Sequence, residues 1–242
     1  MIQVDGLTKL YGEFVAVNEL SFSVPLGGVL GLVGPNGAGK TTTLRCLSGI
    51  IPPTRGTVTI CGSDLARAPI AAKQQLALFT DEPRLFDYLT VQQHLAFTAR
   101  IYQVADYEPL GNRLLEELEL AGKKDALPGE LSRGMKQKLA IACGLLHSPK
   151  VIYFDEPLTG LDPIGIRRMK DSILKRARDG AAIIISSHLL HLVEEICSHI
   201  LILKNGKKVA DGTIEEITQK FSEHAADATL EEVFFRATES NG

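Results

Sequence analysis

The sequence predicts an α/β fold that begins with antiparallel β-structure and contains an inserted helical lobe. Strand and helix patterns alternate after residue 151, which indicates a parallel sheet. The first 33 residues carry mainly strand patterns, and Leu20, Phe22 and Val24 recur there at every second position. Between residues 90 and 147 only helix patterns occur. These changes divide one domain into an α/β core (1–80 and 150–220), a helical lobe (81–149) and a short helical tail (221–242).

Composition excludes several classes of protein. The 242 residues are 45% hydrophobic and 23% charged, as in a globular protein with a core. A net charge of −3 without a basic stripe, and the absence of Trp, disfavour a nucleic-acid binder. No apolar run approaches the ~20 residues of a membrane span, no signal peptide is recognisable, and the four cysteines form no CxxC pair. We expect a cytoplasmic protein with reduced thiols, whose membrane role requires a partner chain.

The core elements follow from local signals in chain order. Residues 29–33 form an apolar strand, 41–47 a helix and 57–60 another strand. After the lobe, a buried strand at 151–154 precedes a helix that begins at Asp162–Pro163 and ends at Gly180. The remaining predicted elements are a strand at 181–186, a helix at 189–197, a strand at 200–203, a hairpin turn at Asn205–Gly206 and two tail helices capped at Thr213 and Thr229.

The lobe consists of three predicted helices. Thr90 and Gln93 match a capping box at the start of the first helix. Leucines on one face predict the second helix over residues 112–120. Ser132 caps the third, which ends at Ser148–Pro149 because the residue before a proline disfavours helical geometry.

The strongest chemical motif is the segment GPNGAGKT, which matches the phosphate-loop pattern GxxxxGK[ST]. It follows a predicted strand and opens a predicted helix, as the motif requires. Its glycines allow backbone amides to surround a polyphosphate at the positive end of the helix, and its lysine and threonine supply a charge and a hydroxyl for Mg²⁺. A glycine-rich turn without function is the weaker alternative. We therefore predict nucleotide binding by Gly34, Pro35, Asn36, Gly37, Ala38, Gly39, Lys40 and Thr41.

Two acids follow the apolar strand 151–154. Because α/β sheets bind ligands at the carboxyl ends of their strands, we expect Asp155 beside the phosphate loop as a metal ligand. Glu156 is then placed to orient or deprotonate an attacking water. His188 also follows a strand, where it can donate a hydrogen bond to a terminal phosphate. Alone, these residues would predict a solvated acidic turn and a structural histidine; after a phosphate loop, the catalytic interpretation is favoured.

Two further features are weaker when taken alone. Ser132 and Gly134 stand at the start of the third lobe helix, where the helix amides form a second anion site, although an ordinary N-cap is the simpler explanation. Tyr11 precedes a glycine, and its ring either stacks on adenine or packs against the protein.

Together these motifs resemble the nucleotide-binding subunit of ATP-binding-cassette (ABC) transporters over essentially the whole chain. The resemblance implies a P-loop NTPase (RecA-like) core with an N-terminal antiparallel β subdomain and an inserted α-helical subdomain. The segments RGMKQKL and LEEVF are more similar to the branch of multidrug and antibiotic exporters in bacteria. In order, the matching motifs are the aromatic loop at Tyr11, Walker A at 34–41 with Thr42, the signature LSRGM at 131–135, Walker B ending at Asp155–Glu156, the D-loop at 160–162 and the switch His188.

The resemblance also implies a mechanism. Two subunits, expected to be two copies of one chain, face head to tail, so that each ATP with its Mg²⁺ lies between the Walker A loop of one copy and Ser132 and Gly134 of the other. Asp162 connects the two sites. Hydrolysis energises export through a separate integral membrane permease, which holds the subunit on the inner face of the cell membrane. The implied catalytic residues are Lys40, Glu156 and His188, and the implied metal ligands are Thr41, Asp155 and Asp81.

Two motifs depart from the family pattern. The signature is usually LSGGQ, and here Arg133 and Met135 replace its third and fifth residues, while the flanking serine and glycine are retained. Asp81 stands where the family usually has a glutamine that contacts Mg²⁺ and the water. A carboxylate can still be a ligand of Mg²⁺. It also adds a third acid near Asp155 and Glu156, which raises at least one of their pKa values unless the metal is bound.

The segment after Asp81 carries three large apolar residues, Leu85, Phe86 and Tyr88. With the helix that follows Thr90, they form a candidate groove for a cytoplasmic helix of the permease. Ordinary core residues are an equally weighted alternative.

Two other functions use the same loop. A soluble ABC-type ATPase acting on ribosomes or DNA usually carries two cassettes or a long coiled-coil insertion, and this sequence has neither. Copurification with ribosomes rather than with membranes would identify such a protein. A GTPase would carry an NKxD motif, which is absent, and a small-molecule kinase would not need Ser132 and His188 at these places.

Overall fold

The computed structural model of the chain describes residues 1–157, 163–221 and 230–239. Its strands are β1 (Ile2–Tyr11), β2 (Phe14–Val24), β3 (Val29–Val33), β4 (Arg55–Ile60), β5 (Ser63–Asp64), β6 (Leu76–Phe79), β7 (Val151–Asp155), β8 (Ala182–Ser186), β9 (His199–Lys204) and β10 (Lys207–Thr213). Its helices are α1 (Lys40–Leu47), α2 (Pro69–Lys73), α3 (Val91–Tyr102), α4 (Tyr107–Glu117), α5 (Arg133–Leu145), α6 (Pro163–Arg178), α7 (Leu190–Ile196), α8 (Ile214–Phe221) and α9 (Leu230–Glu239).

The strands form two sheets. The first has the order β2-β1-β4-β5 and is antiparallel throughout. The second has the order β10-β9-β3-β8-β7-β6, and its neighbouring strands from β9 to β6 are parallel. Strand β10 returns antiparallel to β9 through the turn at Asn205–Gly206. The predicted α/β fold with an antiparallel start, a parallel sheet and a hairpin is confirmed.

Strands β3, β7 and β8 form the centre of the core and are buried along their whole length. Successive residues of each strand enter two different apolar clusters. Val29 and Ile183 belong to one cluster, whereas the next residues along, Leu30 and Ile184, belong to the other. Both faces of the parallel sheet are therefore covered, which explains why these segments are continuous apolar runs and not alternating ones.

Helices α3, α4 and α5 lie between β6 and β7 in the chain, where the sequence predicts the helical lobe. The predicted capping box opens α3: Gln93 N donates to Thr90 Oγ1 at 3.2 Å, and Thr90 N donates to Gln93 Oε1 at 2.8 Å. Ser132 caps α5, because its Oγ accepts from Met135 N at 3.2 Å. Both caps are as predicted, and the limits of the lobe at residues 81 and 149 stay a prediction.

The second lobe helix differs from the prediction in its limits. Helix α4 spans Tyr107–Glu117 rather than residues 112–120. It ends early because Glu119 adopts a left-handed backbone conformation, with φ of 59°. The side chain of Glu119 then forms ion pairs with Lys138 on α5 and Arg168 on α6. These contacts join the end of α4 to two other helices.

The sequence patterns do not indicate three short elements, the two-residue strand β5, strand β6 and helix α2. Strand β6 contains four residues and helix α2 five, too few for a periodic pattern. Strand β6 is defined by its parallel pairing with β7, which local sequence does not encode. Of the predicted tail caps, Thr213 is confirmed, since Glu216 N donates to Thr213 Oγ1 at 3.1 Å. Thr229, like the predicted helix start at Asp162, lies outside the described residues.

The four cysteines, Cys46, Cys61, Cys143 and Cys197, are free thiols, in agreement with the predicted reduced state. Burial raises the pKa of Cys46 and of Cys143 to about 11 and the pKa of Cys197 to about 12. These three side chains are therefore protonated at neutral pH and contribute as small apolar groups.

Tyr153 in β7 is fully buried, and its hydroxyl has no hydrogen-bond partner in the part of the chain that the structure describes. An unsatisfied buried hydroxyl costs about 1–3 kcal/mol. We predict that Tyr153→Phe raises the free energy of unfolding by about 1 kcal/mol in urea denaturation. Tyr88→Phe, at a ring that is 91% exposed, is the control and leaves stability unchanged. A less stable Tyr153→Phe variant would contradict the prediction.

Candidate functional site

The phosphate-loop segment connects β3 to α1 and depends on backbone conformations that glycine permits. Gly37 and Gly39 have φ of 80° and 103°. A Cβ on Gly39 would lie 2.5 Å from the Ala16 carbonyl oxygen, and one on Gly34 would lie 2.4 Å from the Leu203 carbonyl oxygen. Both contacts are too short for any side chain. The loop is therefore closely packed between β2 and the β9–β10 hairpin.

Lys40 is buried inside this loop. Its Nζ donates to the carbonyl oxygens of Gly34 at 2.7 Å and Pro35 at 3.2 Å. Burial lowers the pKa of Lys40 below its usual value, while the carboxylates of Glu156 and Asp155 oppose this effect. The nearby acids thus favour the charged ammonium, which is the form that binds phosphate.

Asp155 ends β7 and faces the start of α1. Its Oδ1 accepts hydrogen bonds from Ser186 Oγ at 2.5 Å and from Thr41 Oγ1 at 3.3 Å. The carboxylate and the threonine hydroxyl provide oxygen ligands side by side, which is the donor type that Mg²⁺ prefers. The residues present therefore fit the predicted cation. No motif in the sequence indicates the role of Ser186, which follows only from the register that pairs it with Asp155 across β7 and β8.

Glu156 and His188 lie together at the same edge of the sheet. Glu156 Oε2 and His188 Nδ1 are 2.8 Å apart. Glu156 N donates to the Ser186 carbonyl oxygen at 3.1 Å, and Glu156 adopts a left-handed conformation with φ of 53°. Such a conformation is uncommon for a residue other than glycine. Lys40, Thr41, Asp155, Glu156 and His188 are thus joined by hydrogen bonds or electrostatic interactions into one cluster.

Among the remaining predicted residues, Tyr11, Ser132 and Gly134 lie at elements other than those that carry this cluster. Tyr11 ends β1, is 48% exposed and lies under the Lys9 ammonium, 5.2 Å from the ring centroid. Ser132 is exposed at the start of α5, and Gly134 follows it in the first turn. Thr42 lies in the first turn of α1. Asp162 lies outside the described residues.

Asp81 has a different partner from the one that the sequence suggested. Its Oδ1 accepts a hydrogen bond from Arg133 Nη2 at 3.0 Å. Two of the three residues that depart from the family pattern therefore contact each other. The assignment of Asp81 as a metal ligand stays a prediction, and the ion pair competes with it.

The apolar residues after Asp81 are divided between surface and core. Phe86 is 54% and Tyr88 91% exposed, whereas Leu85 is half-buried against the core. The Phe86 ring contacts Phe97 of α3 edge to face, with centroids 4.9 Å apart. Ile101, one turn along α3 from Phe97, is also exposed. We call Phe86, Tyr88, Phe97 and Ile101 the aromatic patch. Among the described residues, no helix has the length and apolarity to cross a bilayer.

Comparison with known proteins identifies the family. A family model described as "ABC transporter" matches residues 17–159, from β2 through the acids of the site. The chain belongs to the ABC transporter family. The family prediction is confirmed, and with it the assignment to a family of ATP-hydrolysing transporter subunits.

The chain is similar to ABC transporter subunits over its whole length. It is 32% identical to the ABC-type transporter ATP-binding protein EcsA of Bacillus subtilis (strain 168), over 100% of this chain and 98% of that protein. It is 37% identical to Nod factor export ATP-binding protein I of Burkholderia orbicola, over 87% of this chain and 70% of that protein. Names of multidrug and bacitracin transporters also occur among the similar proteins, in agreement with the predicted exporter branch.

A solved structure of an ATP-binding subunit of an ABC transporter has the same fold. It matches with a TM-score of 0.93 and 33% identity, over 98% of this chain and 99% of that chain. The predicted P-loop core with an antiparallel β subdomain and inserted helices is therefore confirmed at the level of the fold.

We predict that Lys40→Ala abolishes ATP binding in titration calorimetry, with an affinity loss of at least about 100-fold, because the variant loses the only charge inside the loop that contacts phosphate. Lys175→Ala, at an exposed lysine of α6, is the matched control and retains the parent affinity. Unchanged binding by Lys40→Ala would contradict the assignment of the loop.

Proposed function

We propose that this protein is the ATP-binding and ATP-hydrolysing subunit of an ABC exporter and drives transport through a separate membrane-spanning permease. The observation that carries the proposal is the cluster at the carboxyl edge of the parallel sheet. There the phosphate loop with Lys40 lies beside Asp155, Glu156 and His188. This combination of a polyphosphate cradle with an acid–histidine pair supports phosphoryl chemistry with water as the acceptor.

ATP binding rests on three groups of the chain. The backbone amides of residues 34–41 and the N-terminus of α1 provide positive potential for the phosphates. Lys40 leaves its two carbonyl acceptors for the outer phosphates, and Tyr11, exposed at the end of β1, stacks on the adenine. Thr41 and Asp155 hold Mg²⁺, which neutralises charge on the phosphates when it is bound. Thr41 and Asp155 are the residues of the chain that would hold the cation, and their oxygens are the donors that it prefers.

Hydrolysis uses the Glu156–His188 pair. Glu156 orients the attacking water and accepts its proton, and His188 Nδ1–H holds Glu156 Oε2 in place. With a proton on both ring nitrogens, His188 also donates from Nε2–H to the terminal phosphate. Loss of that phosphate then breaks a hydrogen bond of His188, so the same histidine reports the state of the nucleotide to its strand.

A second copy of the chain completes the site. The phosphate loop covers one side of the nucleotide, and the start of α5 offers a further set of helix amides with Ser132 exposed beside them. In a head-to-tail pair, Ser132 and Gly134 of one copy cover the terminal phosphate bound by the other, and Asp162 connects the two sites. ATP then holds the two copies together, and its hydrolysis releases them.

The aromatic patch is the proposed contact with the permease. Large exposed apolar side chains that lie next to each other mark interaction surfaces in soluble domains. Phe86 and Phe97 are in contact in this way, and Tyr88 and Ile101 are exposed close to them in the sequence. Phe86 and Tyr88 lie between β6 and α3, and β6 pairs with β7, the strand that ends at Asp155. A permease bound at the patch is therefore connected to the site through β6. Contact with the permease would place the protein on the inner face of the membrane.

Action on ribosomes or DNA is the less favoured function. The net charge of −3 opposes binding to a polyanion, and the similar proteins carry names of transporter subunits. We therefore propose that the chain has no nucleic-acid partner.

We predict that Glu156→Gln retains ATP binding but lowers the steady-state ATPase rate by about 10²–10⁴-fold, because glutamine cannot accept the proton of the water. With ATP the variant also elutes as a dimer in size-exclusion chromatography. Glu116→Gln, at an exposed acid of α4, is the control and hydrolyses ATP at the parent rate. Hydrolysis by Glu156→Gln at the parent rate would refute the assignment of the base.

A further inference from the structure

The ion pair between Asp81 and Arg133 joins two segments that are far apart in the sequence. Asp81 follows β6, and Arg133 is the first residue of α5. About half of each side chain is exposed, 58% for Arg133 and 43% for Asp81. Both residues depart from the family pattern, and each is the ion-pair partner of the other. We therefore consider the pair as one unit.

Helix electrostatics explain why Arg133 needs this partner. A positive side chain in the first turn lies at the positive end of the helix dipole and is unfavourable there. The first turn of α5 contains no acidic residue that would offset Arg133. Asp81 supplies the missing negative charge from a different segment. The carboxylate therefore performs, through a tertiary contact, the role that an acid in the first turn usually performs.

Two further contacts hold α5 against the same segment. The side chain of Gln137, one turn after Arg133, is buried and donates from Nε2 to the Thr80 carbonyl oxygen at 3.1 Å. Two turns later, Gly144 lies so close to the Phe79 ring that a Cβ would be 2.4 Å from Phe79 Cε1. Helix α5 therefore packs along most of its length against the end of β6 and the two residues after it.

The same segment is connected to the acids of the site. Phe79 pairs with Phe154 in the parallel register of β6 and β7, and the two rings stack with centroids 5.1 Å apart. Asp155 and Glu156 follow Phe154 directly, as Thr80 and Asp81 follow Phe79. If the start of α5 moves relative to Asp81, it therefore also moves relative to Asp155 and Glu156.

We propose that Asp81 and Arg133 are positioning residues for ATP hydrolysis. Their ion pair fixes the first turn of α5, and with it Ser132, against the edge of the sheet that carries Asp155 and Glu156. The inference rests on the proposed function, because it assigns Ser132 to the nucleotide bound by a second copy. It gives Asp81 a role through Arg133 in place of a direct role at the metal.

The test is a double-mutant cycle with the neutral variants Asp81→Asn and Arg133→Gln in the full chain. We expect Asp81→Asn alone to lower kcat for ATP hydrolysis about two- to five-fold, the range of an exposed ion pair, with KM for ATP unchanged within two-fold. In the Arg133→Gln background, Asp81→Asn then has no further effect. Asp179→Asn, which breaks the exposed ion pair with Lys175 on α6, is the matched control and leaves kcat unchanged.

Hydrogen exchange without nucleotide provides a second readout. The amides of Met135 and Lys136 donate to Ser132 in the first turn of α5. We expect Asp81→Asn to speed their exchange two- to five-fold when Arg133 is present and to leave it unchanged in the Arg133→Gln background. This readout does not depend on catalysis, so it still tests the pair if the parent protein hydrolyses no ATP, a result that would refute the proposed function instead.

Two outcomes overturn the inference. If Asp81→Asn lowers kcat equally with and without Arg133, Asp81 acts at the metal and not through the arginine. If Asp81→Asn changes neither kcat nor exchange in the parent background, the ion pair positions nothing.

Discussion

The parallel pairing of β7 with β8 is the constraint on which the rest of the site depends. Its register places Asp155 beside Ser186. Just after these two residues in the chain, Glu156 and His188 come within hydrogen-bond distance of each other. No local motif brings these groups together, because they come from segments about thirty residues apart. A shift by one residue would turn every side chain of the shifted strand to the other face of the sheet and separate the acid from the histidine.

The phosphate loop contributes the second half of the site through its backbone. Gly34 and Gly39 leave no room for a Cβ, and the carbonyl groups of Gly34 and Pro35 hold the Lys40 ammonium. The β9–β10 hairpin supports this loop from outside, since Gly206 N donates to the Ala38 carbonyl oxygen at 3.0 Å and the Gly206 carbonyl accepts from Asn18 N at 2.8 Å. The loop is therefore held by strands at the opposite side of the sheet from β6, while α5 is held by β6. Within each copy, the element proposed to bind its own ATP and the element proposed to cover the ATP of the other copy are thus attached to different edges of one sheet.

Local sequence predicts those features of the fold and site that depend on neighbouring residues. The glycines and Lys40 of the loop, the capping box at Thr90, the cap at Ser132 and the turn at Asn205–Gly206 are all encoded within a few positions. Strand β6 and the role of Ser186 were missed, because pairing with another strand defines them. The partner of Asp81 was missed for the same reason, since Arg133 lies in another segment and only packing of α5 on β6 brings the two together. The family resemblance implied that Asp81 is a metal ligand. Both members of its ion pair with Arg133 depart from the family pattern, so that pattern could not predict their contact.

The most direct test of the account is a crystal structure of the protein with Mg²⁺ and a non-hydrolysable ATP analogue. The account predicts the terminal phosphate against Lys40 Nζ, the cation on Thr41 and Asp155, and Ser132 of a second copy facing the nucleotide from the other side. A nucleotide enclosed by a single copy, with Ser132 directed away from every bound phosphate, would contradict it.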